Sequence, residues 1–189
     1  RGGLNRYAAP EAGELRALIA ARERVHVEQV VVGQGAAALL EAAVCELTGP
    51  DRPLLVQWPG YELYPLLAAR AGAEAGAVRC DDLDSIAAAQ SPPPGALVLA
   101  NPDDPTGELR SLDQIAAIAS ALPANTALLV DEALIEFAER PALVSATNIF
   151  EQHPNTVVFR SFSKAWGLAG LRCGYAISSP NPPCELSRL

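Results

Sequence analysis

The sequence has 189 residues, of which half are apolar and 19% are charged, and its formal net charge is −8. This length and composition are typical of one folded domain with a substantial core, and they exclude a disordered chain. The acidic balance without basic clusters disfavours nucleic acid and acidic membrane surfaces as partners, and no apolar run approaches the ~18 residues of a membrane span.

The four cysteines are scattered along the chain without metal-ligand spacing and are too few for a disulfide scaffold. We therefore expect no metal site and a reducing compartment, the cytoplasm. The sequence contains no methionine, not even at residue 1. We expect it to be a fragment, which leaves open whether a targeting segment preceded it.

Helix and strand patterns alternate along the chain. We predict helices at 10–24, 36–47, 61–71 and 84–90, and one opened by a capping box of Ser111 and Gln114. We predict strands at 30–32, 54–57, 75–79, 96–100, 126–130, 156–159 and 173–178. This alternation predicts a three-layer α/β/α fold with a mostly parallel sheet.

Polar residues follow three of the predicted strands. Residues 101–107 follow one strand, Asp131 ends a second, and the segment from Ser161 to Lys164 follows a third. Ligands of open α/β sheets bind beyond the carboxyl ends of the strands. Core packing does not explain why polar residues follow three strands at the same edge of the sheet, so we predict a ligand site at that edge.

The residue types at this edge indicate the ligand. The backbone amides that open the helix at Ala36 and Ala37 can hold a phosphate, as can Ser161, Ser163 and Arg172. Lys164 is the only lysine beside 13 arginines, and an amine can bond an aldehyde whereas a guanidinium cannot. Asp131 can pair with a cationic ring nitrogen and Tyr61 can cover a ring face, while we expect Trp58 to be a core residue. A phosphate, a cationic ring and an aldehyde together describe pyridoxal phosphate.

The chain resembles the fold-type I pyridoxal-phosphate enzymes of the class I and II aminotransferases, and within them the histidinol-phosphate aminotransferases. The resemblance runs nearly end to end. Its segments are Leu4-Asn5-Arg6-Tyr7, Gly35-Ala36-Ala37, Pro59-Gly60-Tyr61, residues 101–107, Asp131-Glu132-Ala133 and residues 161–174.

The resemblance implies a role for each site residue. Lys164 would carry the cofactor, Asp131 would pair with the pyridine nitrogen, and Tyr61 would stack on the ring. The phosphate would be held by Gly35, Ala36, Ala37, Ser161, Ser163 and Arg172. Tyr7 would reach the phosphate of a neighbouring subunit, which implies a homodimer. The implied reaction moves an amino group from a compound like histidinol phosphate to a 2-oxo acid, in amino-acid biosynthesis.

The resemblance also implies what lies elsewhere. Residues 1–189 would be a single cofactor-binding large domain, and the family's N-terminal segment and C-terminal small domain have no counterpart in this sequence. Three positions depart from the family's pattern: Asp104 replaces an asparagine and Leu134 a tyrosine near the cofactor's phenolic oxygen, and Ala37 replaces a polar residue. The Asp104 carboxylate would disfavour the anionic form of that phenolic oxygen.

Three alternatives remain open from the sequence. A phosphothreonine-type decarboxylase would look similar, and the departures at Asp104 and Leu134 allow a degenerate, non-catalytic domain. Gly33, Gly35 and Ala38 mimic a dinucleotide-binding fingerprint. That third alternative lacks the expected acidic residue, because the next strand ends at Gln57 and Trp58.

Overall fold

The computed structural model describes residues 12–79, 81–82, 86 and 91–184. The helices are α1 (Gly13–Glu23), α2 (Ala36–Leu47), α3 (Leu63–Arg70), α4 (Leu112–Ala121) and α5 (Pro141–Val144). The strands are β1 (Val30–Gly33), β2 (Leu54–Gln57), β3 (Ala75–Val78), β4 (Ala96–Ala100), β5 (Ala127–Asp131), β6 (Thr156–Ser161) and β7 (Gly174–Ser178). The predicted helix at 84–90, apart from Ile86, and Tyr7 lie outside the described residues.

The seven strands form one sheet in the order β1-β7-β6-β5-β4-β2-β3. The pairs from β3 to β6 are parallel, whereas β7 runs antiparallel to both β6 and β1. The predicted three-layer, mostly parallel fold is confirmed. Because β7 alone is reversed, the segment that enters it starts at the same edge where the parallel strands end.

The two faces of the sheet are covered by different helices. α2 and α3 cover one face, where Leu39, Val44 and Leu67 pack on the strands. α1, α4 and a 3-10 turn at Ala146–Ile149 cover the other face. β4 is apolar and buried along its whole length, as expected for a strand packed on both sides.

Local sequence explains where the principal helices begin. α2 consists mainly of alanine and leucine, which have high helix propensity, and it starts directly after Gly35. α4 begins at the predicted capping box: the Ser111 hydroxyl accepts a hydrogen bond from the Gln114 amide at 3.3 Å, and the Gln114 side chain accepts one from the Ser111 amide at 2.8 Å.

One burial prediction is wrong. Trp58 is 53% exposed instead of belonging to the core. The strand ends one residue earlier, at Gln57, so the indole lies in the loop beyond the buried part of the sheet. In the described part of the chain, no helix has the length and apolar character needed to cross a membrane.

Candidate functional site

A pocket of about 330 Å³ lies at the carboxyl edge of the parallel strands. This volume is at the lower end of the range for small-molecule sites. Residues from the ends of β4, β5 and β6, from the start of α2 and from α3 line it: Ala36, Ala37, Tyr61, Leu63, Tyr64, Ala100, Pro102, Asp104, Asp131, Ala133, Leu134, Ser161, Ser163, Lys164, Ala169 and Arg172. The structure thus brings together every predicted site residue within its described part except Gly35, which directly precedes the pocket residue Ala36.

The first part of the pocket is built for an anion. The opening amides of α2 have no partner within the helix, and Gly35 offers no side chain to cap them. The Ser161 hydroxyl accepts a hydrogen bond from the Ser163 amide at 3.0 Å, and the Ser163 hydroxyl accepts one from Nη1 of Arg172 at 3.3 Å. Because both hydroxyl oxygens act here as acceptors, their own protons remain available to a ligand.

Gly35 makes room for the guanidinium of this anion site. Its φ is +92°, and a Cβ atom at this position would lie 2.9 Å from Nη2 of Arg172. Nη1 of Arg172 also donates to the Ala169 carbonyl at 3.0 Å, which fixes the side chain across the opening of α2. A larger residue at 35 would occupy the space in which the guanidinium lies.

The second part of the pocket centres on Asp131. Its Oδ1 accepts a hydrogen bond from the Ala133 amide at 3.0 Å, and its Oδ2 accepts one from the Tyr64 hydroxyl at 3.3 Å. Burial raises the pKa of Asp131, and the negative charge of Asp104 adds to this, while the two hydrogen bonds and Lys164 act in the opposite direction. A cation placed against this carboxylate would favour its ionised form.

Tyr64 is a pocket residue that the sequence reasoning missed. It is 1% exposed, and its ring meets that of Tyr61 edge to face, with centroids 5.7 Å apart. Burial, followed by the neighbouring Asp131, raises the pKa of the Tyr64 hydroxyl well above its ordinary value, which keeps it a hydrogen-bond donor. The available signal was the spacing of three residues from Tyr61, which in the predicted helix at 61–71 places both rings on one side.

The loop from residue 101 to 107 has two kinds of residue. Asn101 and Asp103 are buried and build the loop itself. The side-chain Oδ1 of Asn101 accepts a hydrogen bond from the Arg110 backbone amide at 2.8 Å, and the Asp103 carboxylate accepts hydrogen bonds from Gln57 and Thr106. Asp104 is half-buried and lines the pocket. Only one of the two adjacent aspartates is therefore available to a ligand.

Lys164 lies in the connection between β6 and β7, and its side chain is exposed at the pocket. Aromatic contacts hold this connection on its far side. The Trp166 ring lies edge to face with the Phe162 ring, with centroids 5.8 Å apart. The Arg22 guanidinium stacks 4.8 Å from the Trp166 ring centroid, and Nε1 of Trp166 donates a hydrogen bond to Glu136 at 3.3 Å. These contacts hold the loop that contains Lys164 in place, while the Lys164 side chain itself stays accessible.

The donor set fits pyridoxal phosphate. An anion site of backbone amides, hydroxyls and a guanidinium suits the phosphate, the half-buried Asp131 carboxylate suits a protonated ring nitrogen, and an accessible amine suits the aldehyde. The Tyr61 ring, 42% exposed, lines the same pocket. Asp104 and Leu134 also line it, so the two departures noted in the sequence lie where a bound ligand would meet them.

Comparisons with known proteins agree with this fit. The family model described as "Aminotransferase class I and II" matches residues 1–186. The chain is 36% identical to an aromatic amino acid aminotransferase of Cutibacterium acnes, covering 98% of this chain and 54% of that protein. It is 34% identical to histidinol-phosphate aminotransferase 2 of Ralstonia nicotianae, covering 99% and 51%. The chain spans about half the length of the curated relatives it matches.

A solved structure shows the same likeness. The histidinol-phosphate aminotransferase of Sinorhizobium meliloti, determined in complex with pyridoxal 5'-phosphate, superimposes with a TM-score of 0.84 at 32% identity. The match covers 96% of this chain and 50% of that one. The bound cofactor of that relative is the one that the sequence predicted for this chain.

Proposed function

This chain belongs to the class I and II aminotransferases, and on that premise we propose that it is the cofactor-binding part of a pyridoxal-phosphate-dependent aminotransferase. The observation that supports this most directly is the convergence of Lys164, Asp131 and the anion site on one pocket. We further propose that residues 1–189 form a single large domain and that the active protein is a homodimer.

The residues have separate tasks in this proposal. The Ala36 and Ala37 amides, Ser161, Ser163 and Arg172 hold the phosphate, and Tyr61 covers the ring. Asp131 pairs with the ring nitrogen and stabilises its proton. When bound, pyridoxal phosphate supplies a protonated pyridine that accepts the electron pair released at the α-carbon of the substrate.

Lys164 has two tasks. Its accessible amine would hold the cofactor through the aldehyde carbon. The same amine, placed at the pocket, would also move a proton at the substrate's α-carbon. Arginine cannot perform either task, because its guanidinium stays protonated.

We propose a donor like histidinol phosphate and a 2-oxo acid acceptor. The relatives that support this are histidinol-phosphate aminotransferases at 34% and 32% identity, whereas the Cutibacterium acnes relative is named for aromatic amino acids. A substrate panel separates these classes: histidinol phosphate, phenylalanine and tyrosine with 2-oxoglutarate, and O-phosphothreonine assayed for carbon dioxide release. Release of carbon dioxide would favour the decarboxylase.

The test of the cofactor site uses the single lysine. Purified protein is mixed with pyridoxal phosphate, reduced with borohydride and digested for peptide mass mapping. We expect a phosphopyridoxyl group on the Lys164 peptide. The matched control, Lys164→Arg, keeps the positive charge but cannot bond the aldehyde, so it should bind the cofactor reversibly and carry no adduct. An unmodified Lys164 peptide in the wild-type protein would contradict the proposal.

A non-catalytic cofactor domain is the second candidate, and the presence of Asp104 and Leu134 in the pocket favours it. A carboxylate in place of an amide, without a tyrosine donor nearby, alters the charge that the cofactor's phenolic oxygen experiences. The double variant Asp104→Asn with Leu134→Tyr tests this candidate. If it transfers amino groups and the wild-type protein does not, while both carry the Lys164 adduct, the chain binds the cofactor without using it.

A further inference from the structure

The hydroxyl of Tyr64 and the carboxylate of Asp131 come from elements far apart in the chain. Tyr64 lies in α3, on one face of the sheet, and Asp131 is the last residue of the central strand β5. The hydroxyl donates to Oδ2 of the carboxylate at 3.3 Å across 67 positions of sequence. Since Tyr64 is 1% exposed, water cannot readily replace it in this contact.

Tyr64 has a second contact within the same pocket. Its ring packs edge to face against Tyr61, with an angle of 87° between the ring planes. Edge-to-face pairs of this kind fix the orientation of both rings. One buried side chain therefore contacts both the group assigned to the ring face and the group assigned to the ring nitrogen.

We propose that Tyr64 is a positioning residue, which fixes the Asp131 carboxylate for pairing with the cofactor's ring nitrogen and supports the Tyr61 ring that covers the cofactor. This inference rests on the proposed function. The hydroxyl acts on one oxygen of Asp131, while the Ala133 amide holds the other. Together they leave the carboxylate one orientation.

The charges around Asp131 explain why a donor is needed there. Burial and the negative Asp104, in the loop after β4, both favour the neutral acid, whereas Lys164, in the loop after β6, favours the ionised form. If Lys164 held the cofactor, its charge near Asp131 would change, whereas the hydrogen bond from the Tyr64 hydroxyl would remain. A hydrogen bond to the ionised form stabilises that form.

The experiment compares Tyr64→Phe with the wild-type protein. Phenylalanine keeps the ring contact with Tyr61 and removes only the hydroxyl. Binding is measured for pyridoxal phosphate and for its 1-deaza analogue, in which carbon replaces the ring nitrogen. We expect Tyr64→Phe to weaken binding of pyridoxal phosphate about ten- to hundredfold and to leave binding of the analogue nearly unchanged. Equal effects on both compounds, or no effect on either, would overturn the proposal.

A double-variant cycle tests whether the effect passes through Asp131. In an Asp131→Asn background, removal of the Tyr64 hydroxyl should have no further effect on the binding of pyridoxal phosphate. Tyr175→Phe is the matched control, because Tyr175 is also 1% exposed and its hydroxyl donates to a carboxylate, Glu23, at 3.0 Å outside the pocket. It should not change the ratio of the two affinities. If the ratio of the affinities for pyridoxal phosphate and its 1-deaza analogue shifts equally in Tyr64→Phe and Tyr175→Phe, the role of Tyr64 is only structural.

A measurement without cofactor separates this inference from the proposed function. Carbon-13 NMR of the Asp131 carboxyl across pH should show a higher pKa in Tyr64→Phe than in the wild-type protein, because a donor to the ionised form is lost. An unchanged titration would refute the hydrogen bond whatever the protein binds. If the titration shifts but the wild-type protein binds neither cofactor compound, the proposed function fails and the positioning role fails with it.

Discussion

Arg160 and Glu132 form a buried ion pair, in which Nε and Nη2 of Arg160 each lie 2.9 Å from Oε2 of Glu132. Arg160 is the chain neighbour of Ser161, and Glu132 is the chain neighbour of Asp131. Nη1 of Arg160 contacts both carboxylate oxygens of Glu23 at 2.9 Å, and Glu23 belongs to α1 on the face away from α2 and α3. These ion pairs, on the face of the sheet that α1 covers, therefore link the residues next to Ser161 and Asp131, which belong to the two parts of the pocket.

Breaking this pair should destabilise the protein. Glu132→Gln removes the charge while keeping the shape, so Arg160 loses a buried partner, and we expect a loss of about 3 kcal/mol in the free energy of unfolding. Urea unfolding at neutral pH measures it. The control is Glu41→Gln, which breaks the exposed pair between Glu41 and Arg70 at 2.7 Å. That change should cost less than about 1 kcal/mol, and similar losses in both variants would contradict the prediction.

Gly35→Ala should weaken phosphate binding. The new methyl group would lie 2.9 Å from Nη2 of Arg172, so the guanidinium must move away from the start of α2. Its φ of 92° and ψ of 159° belong to a region that is essentially confined to glycine, so alanine there should cost a further ~1–3 kcal/mol. Titration with pyridoxal phosphate and with inorganic phosphate should show weaker binding of both.

Gly72→Ala controls for backbone strain in that experiment. Gly72 has a φ of +68°, and no atom lies within 4 Å of its added Cβ. Alanine there should lower stability to a similar degree without changing the affinity for either ligand. If Gly72→Ala weakens phosphate binding as much as Gly35→Ala does, the loss comes from general destabilisation and not from Arg172.

Asp131 should make the stability of the cofactor-free protein depend on pH. Its pKa is raised in the folded protein, chiefly by burial, above the value of about 3.9 in an unfolded chain. The folded state therefore binds the proton more tightly. This contribution to stability is complete below about pH 3.9 and is lost as the pH rises through the folded pKa.

Urea midpoints measured across this range test the prediction. The difference in stability between the wild-type protein and Asp131→Asn should shift against the wild type as the pH rises, because asparagine does not titrate. Asp104→Asn removes a charge that raises the pKa of Asp131, so it should move the transition to lower pH. If the difference in stability between the wild-type protein and Asp131→Asn stays constant with pH, Asp131 has its ordinary pKa and the prediction fails.

Much of the architecture could be predicted because it depends on local patterns of apolar and polar residues. β2, β4 and α2 have the predicted bounds, since short apolar runs and alanine-rich helical spacing are signals within a few residues. The same patterns placed Asp131 at a strand end and Lys164 just after another. Parallel strands end at one edge of a sheet, so the chain order alone indicated that these residues converge.

The position of Arg172 depended on the reversal of β7. Arg172 precedes that strand by two residues, so in a parallel strand it would lie at the opposite edge of the sheet. The antiparallel pairing of Ser161 with Gly174 returns the chain to the pocket edge. A strand pattern carries no direction, and the sequence therefore could not decide this.

The sequence by itself determined the layered fold, the edge that holds the pocket and the residue types that meet there. Only the tertiary structure decided that Tyr64 donates a hydrogen bond to Asp131 and that Arg160 pairs with both Glu132 and Glu23. The physical reason is range. Periodicity reports which face of an element is buried, whereas these contacts join side chains up to 137 positions apart, and their partners are chosen by the packing of the whole sheet.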